Sequence, residues 1–154
     1  GMPGIMTQPY PMEFLLTPGK VTIVIEAYTQ VRHIYTDGRA LPENPDTLFF
    51  GTSVGHWEGD TLVVDTTNFR DTPALGQASR NLHVVERFTR VDADTIDYEF
   101  TVTDPNTWTR PWSGSLPLSR AGGPMFEYAC HEGNYGLTNM LAGSRVQERA
   151  EGNR

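Results

Sequence analysis

The stretch that decides the fold is Leu82–Leu118, LHVVERFTRVDADTIDYEFTVTDPNTWTRPWSGSLPL. Apolar and polar residues alternate along it, and turn-forming residues interrupt it at 92–94 and 104–107. Because successive side chains of a strand point to opposite faces, a period of two predicts three antiparallel strands. The apolar side chains share one face of the predicted sheet because they all have even numbers: Leu82, Val84, Phe88, Ile96, Tyr98, Phe100, Val102, Trp108, Trp112, Leu116 and Leu118.

Two charged residues, Glu86 and Arg110, fall on this same apolar face, and Asp104 falls at its margin. A charged side chain on a core face must be paired or must line a cavity, since burying it alone costs several kcal/mol. A second hairpin that sets Val102 opposite Arg110 brings Arg110 within one strand of Glu86. The sequence therefore predicts an inward-facing ion pair between Glu86 and Arg110.

The first hairpin of this stretch has a definite register if Val91 pairs with Thr95. Glu86 then lies opposite Phe100 on the inner face, and Arg87 lies opposite Glu99 on the outer face. A slip by one residue would exchange the two faces, so the register is well specified. We predict an exposed cross-strand ion pair between Arg87 and Glu99.

The remaining strands are shorter and are separated by Gly, Pro and Asp-rich turns. Only the tail predicts a helix, because Leu137, Met140 and Leu141 have i, i+3, i+4 spacing. We predict an all-β fold, an antiparallel meander forming a barrel or strongly curved half-barrel with one short C-terminal helix; a sandwich is the main alternative. Residues 10–150 would form this single domain, after an extended lead-in at 1–9. The other predicted strands are Met12–Leu16, Val21–Tyr28, Gln30–Tyr35, Val54–Trp57, Thr61–Thr67 and Met125–His131.

Composition excludes several function classes. The 154-residue chain has a formal net charge of −7, which disfavours a nucleic-acid partner, and no apolar run is long enough to span a membrane. One cysteine, Cys130, allows no internal disulfide, and no signal peptide is recognisable. Because no zinc, phosphate-loop or dinucleotide motif is present, we predict no cofactor.

The inner face predicts a ligand cavity. If Phe126 of the last strand lies opposite Leu118, then Glu132 comes near Trp112 on the inner wall. Aromatic side chains around a cation suit a planar or partly apolar ligand with a carboxylate or carbonyl group. The predicted ligand-binding residues around Arg110 are Tyr98, Trp108, Trp112, Tyr128 and Glu132.

Three functions are compatible with this pattern, and the leading one is binding of a small, partly apolar ligand. The first alternative is an acid–base enzyme, a lyase, isomerase or hydrolase, with Glu86 or His131 as base and Arg110 as electrophilic stabiliser. The second is a structural or homodimeric module that pairs through an open sheet edge. A metal site would need His83 beside His56 and His131, but His83 counts to the outer face, so we predict none.

Three stretches resemble an uncharacterised family of bacterial proteins: GHWEGDTLVVDTTNF at Gly55–Phe69, LHVVERFTRVDADTIDYEFTVTDPNTWTRPW at Leu82–Trp112 and YACHEGNYG at Tyr128–Gly136. The resemblance covers most of residues 10–142 and implies no particular reaction. Longer members of that family usually begin with a secretory signal, so the resemblance implies an extracytoplasmic location. The strand pattern also resembles calycin-type barrels such as lipocalins, which bind small ligands.

Overall fold

One eight-stranded sheet, curled into a half-barrel, forms the body of the computed structural model. The structure describes residues 1–43, 45–70, 75, 78–128 and 135–152. The strands follow one another in the sheet in chain order, and among the described residues a single α-helix follows them, which confirms the all-β prediction. The elements are β1 (Met12–Thr17), β2 (Lys20–Ile25), β3 (Gln30–Tyr35), β4 (Thr52–Glu58), β5 (Thr61–Thr67), β6 (His83–Arg90), β7 (Thr95–Thr103), β8 (Trp112–Ser119) and α1 (Gly136–Gly152).

The β6–β7 hairpin has the predicted register. Glu86 pairs with Phe100, Arg87 with Glu99, and Phe88 with Tyr98. Even-numbered side chains of both strands face the core, and Val84, Glu86, Tyr98 and Val102 are completely buried. Because one face is so strongly apolar, the alternation alone was enough to fix this pairing.

The β7–β8 hairpin differs from its predicted register by two residues. Val102 pairs with Trp112, not with Arg110, and Phe100 pairs with Gly114. A shift of two keeps each side chain on its predicted face, so Trp112, Leu116 and Leu118 still pack against the core. Arg110 no longer belongs to a strand and is exposed in the connection that precedes β8.

The buried Asp104 explains this longer connection. Its backbone carbonyl accepts hydrogen bonds from the N–H groups of Thr107 (3.0 Å) and Trp108 (2.9 Å). Its carboxylate accepts bonds from the backbone N–H and hydroxyl of Ser79, the N–H of Asn106 and the hydroxyl of Thr107. Residues 104–108 therefore form a turn and cannot extend the strand ladder.

We expect Asp104→Asn to lower the free energy of unfolding by about 1–3 kcal/mol at pH 7, because an amide NH₂ facing these donors leaves some of them unpaired. Burial by itself raises the pKa of Asp104, but the hydrogen bonds from Ser79, Asn106 and Thr107 outweigh it and the pKa is lowered. A lowered carboxyl pKa stabilises the fold above the unfolded value of about 4, and this contribution disappears as the pH falls through the folded value.

Urea unfolding at pH 7 and at pH 3 measures this difference. The difference in free energy of unfolding between the wild type and Asp104→Asn should be smaller at pH 3 than at pH 7. Asp46→Asn, which changes an exposed carboxyl, should have the free energy of unfolding of the wild type at both pH values. The same difference in free energy of unfolding at the two pH values would show that the Asp104 charge does not contribute to stability.

One junction of the sheet is parallel. β3 and β4 pair in parallel through Ile34 with Ser53 and Tyr35 with Val54, while the other neighbouring strands pair antiparallel. After Tyr35 the chain turns back so that β4 begins beside the C-terminal end of β3 and runs in the same direction, which a tight hairpin would not allow. The prediction of a wholly antiparallel meander is wrong at this junction.

The N-terminal residues belong to the core. Gly4–Thr7 forms a 3₁₀ turn, and Met2, Ile5 and Met6 are buried among the apolar side chains of the sheet. The prediction of an extended lead-in at 1–9 is therefore wrong for this segment. Single apolar residues separated by Pro and Gly gave no periodic signal, although three of them fill the concave side of the sheet.

The predicted last strand, Met125–His131, is wrong in its described part, since residues 125–128 are irregular and Phe126 is 69 % exposed. Residues 129–131 of that prediction lie outside the described residues. The predicted helix is confirmed and extends beyond its apolar residues to form α1, whose described side chains are exposed.

In the part of the chain that the structure describes, no helix has the length and apolar character needed to cross a membrane.

Candidate functional site

A buried polar cluster crosses the concave face of the sheet, with one residue from each of the consecutive strands β3 to β7. The polar cluster consists of Arg32, Ser53, Thr66, Glu86 and Tyr98, all no more than 3 % exposed. Each side chain is turned inward by the strand alternation, and the sheet register aligns them across neighbouring strands. Sequence-distant residues thus meet at the centre of the core.

Arg32 is the hub of this cluster. Its Nη1 donates to Glu86 Oε1 (3.0 Å) and its Nη2 to Glu86 Oε2, which makes a bidentate ion pair. Nη2 also lies 3.1 Å from Ser53 Oγ and 3.0 Å from Thr66 Oγ1, and these hydroxyls are 2.9 Å apart. Among the described residues, Arg32 Nε has no hydrogen-bond partner.

Tyr98 completes the cluster, since its hydroxyl donates to Glu86 Oε1 at 2.8 Å. Burial raises the pKa of Tyr98 strongly, and the nearby Glu86 carboxylate raises it further. The phenol therefore stays protonated and remains a donor. Both Glu86 oxygens consequently accept hydrogen bonds inside the buried core, an arrangement suited to holding the sheet together and poorly suited to removing a proton from a substrate.

The predicted pair of Glu86 with Arg110 is wrong: Glu86 is buried as expected, but its partner is Arg32. The two-residue shift at β8 removes Arg110 from the inner face, and the turn centred on Asp104 holds it at the surface. Arg32 shares its inward face with Ile34 on β3, so the alternation of that strand contained the missing signal.

The aromatic residues of the predicted cavity do not surround one space. Tyr98 is completely buried in the polar cluster and stacks on Phe88, with ring centroids 4.8 Å apart. Trp108 and Trp112 meet edge to face at 5.7 Å and pack against the core as half-buried side chains. Tyr128 lies elsewhere, against Tyr10 (5.7 Å) and Tyr28 (5.0 Å).

His131, Glu132 and Cys130, three further residues singled out from the sequence, lie outside the described residues.

The outer face carries different ion pairs from the one predicted. Arg87 Nη2 donates to Glu58 Oε2 at 2.9 Å across to the β4–β5 hairpin, so the predicted Arg87–Glu99 ion pair is wrong although the two residues are opposite in register. His56 Nε2 lies 3.1 Å from the other Glu58 oxygen, and His83 Nε2 lies 2.6 Å from Asp65 Oδ1. Within the described ranges, no group of His, Cys, Asp and Glu is arranged to hold a metal ion.

An open groove of about 770 Å³ lies between β1 and the β6–β8 side of the sheet. β1 and β8 are the two edges of the sheet and are not hydrogen-bonded to each other in the described structure, so we call this groove the seam groove. The strand pattern does not indicate this groove, because its opposite walls come from the two ends of the sheet. Its apolar lining includes Met12, Phe14, Leu16, Val21, Leu62, Phe88, Ile96, Leu118, Tyr10 and Trp57.

The seam groove combines a buried floor with an open rim. Phe88 on the floor is 5 % exposed and contacts the Phe14 ring edge to face at 5.6 Å, whereas Leu16 on the β1 wall is 63 % exposed. An inward-facing leucine that remains exposed is an apolar surface without a covering group.

The rim of the seam groove bears balanced charges. Arg120 Nε lies 3.2 Å from Asp94 Oδ1, and Arg90 donates to the carbonyls of Asp92 and Ala93, both at 3.1 Å. The rim therefore has two cationic side chains, Arg90 and Arg120, and two anionic ones, Asp60 and Asp94. Such a rim does not select strongly for one sign of ligand charge.

Comparisons with protein-family models, with curated proteins and with solved structures found no match to this chain.

Proposed function

We propose that the protein binds a small, largely apolar ligand in the seam groove. The observation that carries this proposal is an apolar groove of about 770 Å³ with a buried floor and an exposed inward-facing leucine. Ligand pockets are typically concave, mostly apolar and of about 300–1,000 Å³, with a few polar groups at fixed places. The resemblance to calycin-type barrels agrees with the proposal as a fold analogy.

The same structure gives little support to acid–base catalysis by Glu86. Its oxygens accept hydrogen bonds from Arg32 and Tyr98, and the side chain is completely buried. A general base must reach the proton that it removes, and these donors occupy its lone pairs. Binding is compatible with a locked ion pair, since the pair can serve the scaffold while the groove serves the ligand.

A matched pair of variants tests the groove. Leu16 lines the groove, whereas its neighbour Leu15 is also exposed (42 %) but points to the other face of the same strand. We expect Leu16→Glu to weaken binding of the neutral probe N-phenyl-1-naphthylamine by about tenfold or more, because burying a leucine side chain contributes about 1.5–3 kcal/mol. Leu15→Glu should leave the affinity within about twofold of the wild type, as measured by probe fluorescence.

Trp57 provides an independent readout, because it lines the groove whereas Trp108 and Trp112 do not. Probe binding should change the emission of the wild type and should change it much less in Trp57→Phe. Absence of probe binding, or equal losses in the Leu15 and Leu16 variants, would contradict a site in the seam groove.

A further inference from the structure

The hydrogen-bonding groups of one sheet edge face the seam groove. Glu26 N–H donates to the Pro11 carbonyl at 3.0 Å, which makes Pro11 and Glu26 a hydrogen-bonded pair of the β1–β2 register. Bonded and non-bonded pairs alternate in an antiparallel ladder. The backbone N–H and C=O groups of Met12, Phe14 and Leu16 therefore point away from β2, toward the seam.

This β1 edge lacks the prolines and the inward-facing charges that usually prevent strand pairing. Between Met12 and Thr17 there is no Pro, and the one charged residue, Glu13, lies on the outer face, away from the groove-lining Met12 and Phe14. The other edge is different, because β8 contains Pro117 within the strand, and proline removes a backbone donor. One edge of the seam is thus blocked, while the other is open to an added strand.

The groove also offers side-chain sites at strand spacing. Met12, Phe14 and Leu16 alternate along its β1 wall, and Ile96 and Leu118 form the opposite wall. A ligand that lies along β1 would meet backbone donors and acceptors beside it and apolar side chains on the concave side. Peptide recognition by strand addition uses this combination, in which backbone hydrogen bonds give affinity and alternate side chains give specificity.

We infer that the ligand of the seam groove is an extended, apolar peptide segment that adds to β1 as a further strand. The inference rests on the proposed function and specifies the ligand class of the same groove. The balanced rim charges suit a backbone without net charge.

The experiment uses the full chain and a capped octapeptide in which valine alternates with threonine. Two further peptides carry backbone N-methyl groups, the first peptide on every valine and the second on every threonine. Because the N–H groups of alternate residues point to the same edge of a strand, each peptide has its methyl groups on one edge only. Only one of these edges can face β1. We expect the unmodified peptide to bind, one methylated peptide to bind at least about tenfold more weakly, and the other to bind within about threefold of the unmodified one.

Protein variants locate the binding strand. Leu16→Lys places a charge on the groove wall at the open edge and should abolish peptide binding, whereas Leu15→Lys on the same strand should not. Both leucines are exposed, so both variants should keep the wild-type melting temperature.

Each outcome decides the inference. Equal losses for the two methylated peptides, or none, would overturn strand addition. Binding of N-phenyl-1-naphthylamine without peptide binding would overturn the peptide inference and leave the proposed function intact, while binding of neither would overturn both. A dimer in analytical ultracentrifugation that Leu16→Lys converts to monomer would replace the peptide by a second copy of the chain.

Discussion

Replacing Glu86 by alanine is expected to lower the free energy of unfolding by about 3–5 kcal/mol. Among the described residues, the variant leaves only Ser53 and Thr66 as acceptors for the buried Arg32 guanidinium, and it removes the acceptor of the Tyr98 hydroxyl. An uncompensated buried charge costs more than the ion pair itself contributes, because the cation has lost its hydration without regaining a counter-charge.

Urea unfolding at pH 7 measures this loss, and two variants make it interpretable. Glu58→Ala removes an exposed carboxylate that also pairs with an arginine, and it should unfold much like the wild type. The double variant Arg32→Met with Glu86→Leu removes both buried charges and should recover most of the stability lost in Glu86→Ala. Similar unfolding curves for Glu86→Ala and Glu58→Ala would show that Glu86 is hydrated and that the polar cluster does not hold the sheet.

Met6→Ala is expected to cost about 2–5 kcal/mol, the usual range for truncating a large, fully buried apolar side chain. Met6 is completely buried and lies with Met2 and Ile5 in the apolar core that the curled sheet encloses. Truncation leaves a cavity, and the surrounding side chains usually refill such a cavity only in part.

Met140→Ala is the matched control, since Met140 is 65 % exposed on α1 and should tolerate alanine without loss of stability. Thermal unfolding followed by circular dichroism compares the two variants directly. A Met6→Ala variant with the melting temperature of the wild type would mean that residues 1–7 do not take part in the cooperative unfolding of the core.

The parts of the fold that the sequence predicted are those set by local alternation. In β6 and β7 an unbroken period of two, with turn residues between the strands, specified both the register and the buried side of Glu86. The terminal helix was likewise visible in the spacing of Leu137, Met140 and Leu141. In each of these cases the decisive interactions join residues close in the chain.

The predictions were wrong where contacts between residues far apart in the chain determine the structure. The partner of Glu86 is 54 residues away, and its choice depends on how β3, β4 and β5 are ordered in the sheet. The β8 register depends on Asp104, whose carboxylate is engaged by Ser79 from the preceding connection. The seam groove depends on the curl of the whole sheet, which no single strand pattern contains.

The polar cluster divides the sheet into a rigid middle and looser margins. Its hydrogen bonds link the five strands from β3 through β7, whereas in the described part of the chain β1 and β8 each have a neighbouring strand on one side only. Backbone amides of the middle strands should therefore exchange with solvent only through global unfolding, and those at the margins through smaller local openings. We therefore expect the gap between β1 and β8 to widen when the proposed ligand binds, while the hydrogen bonds of the polar cluster stay intact.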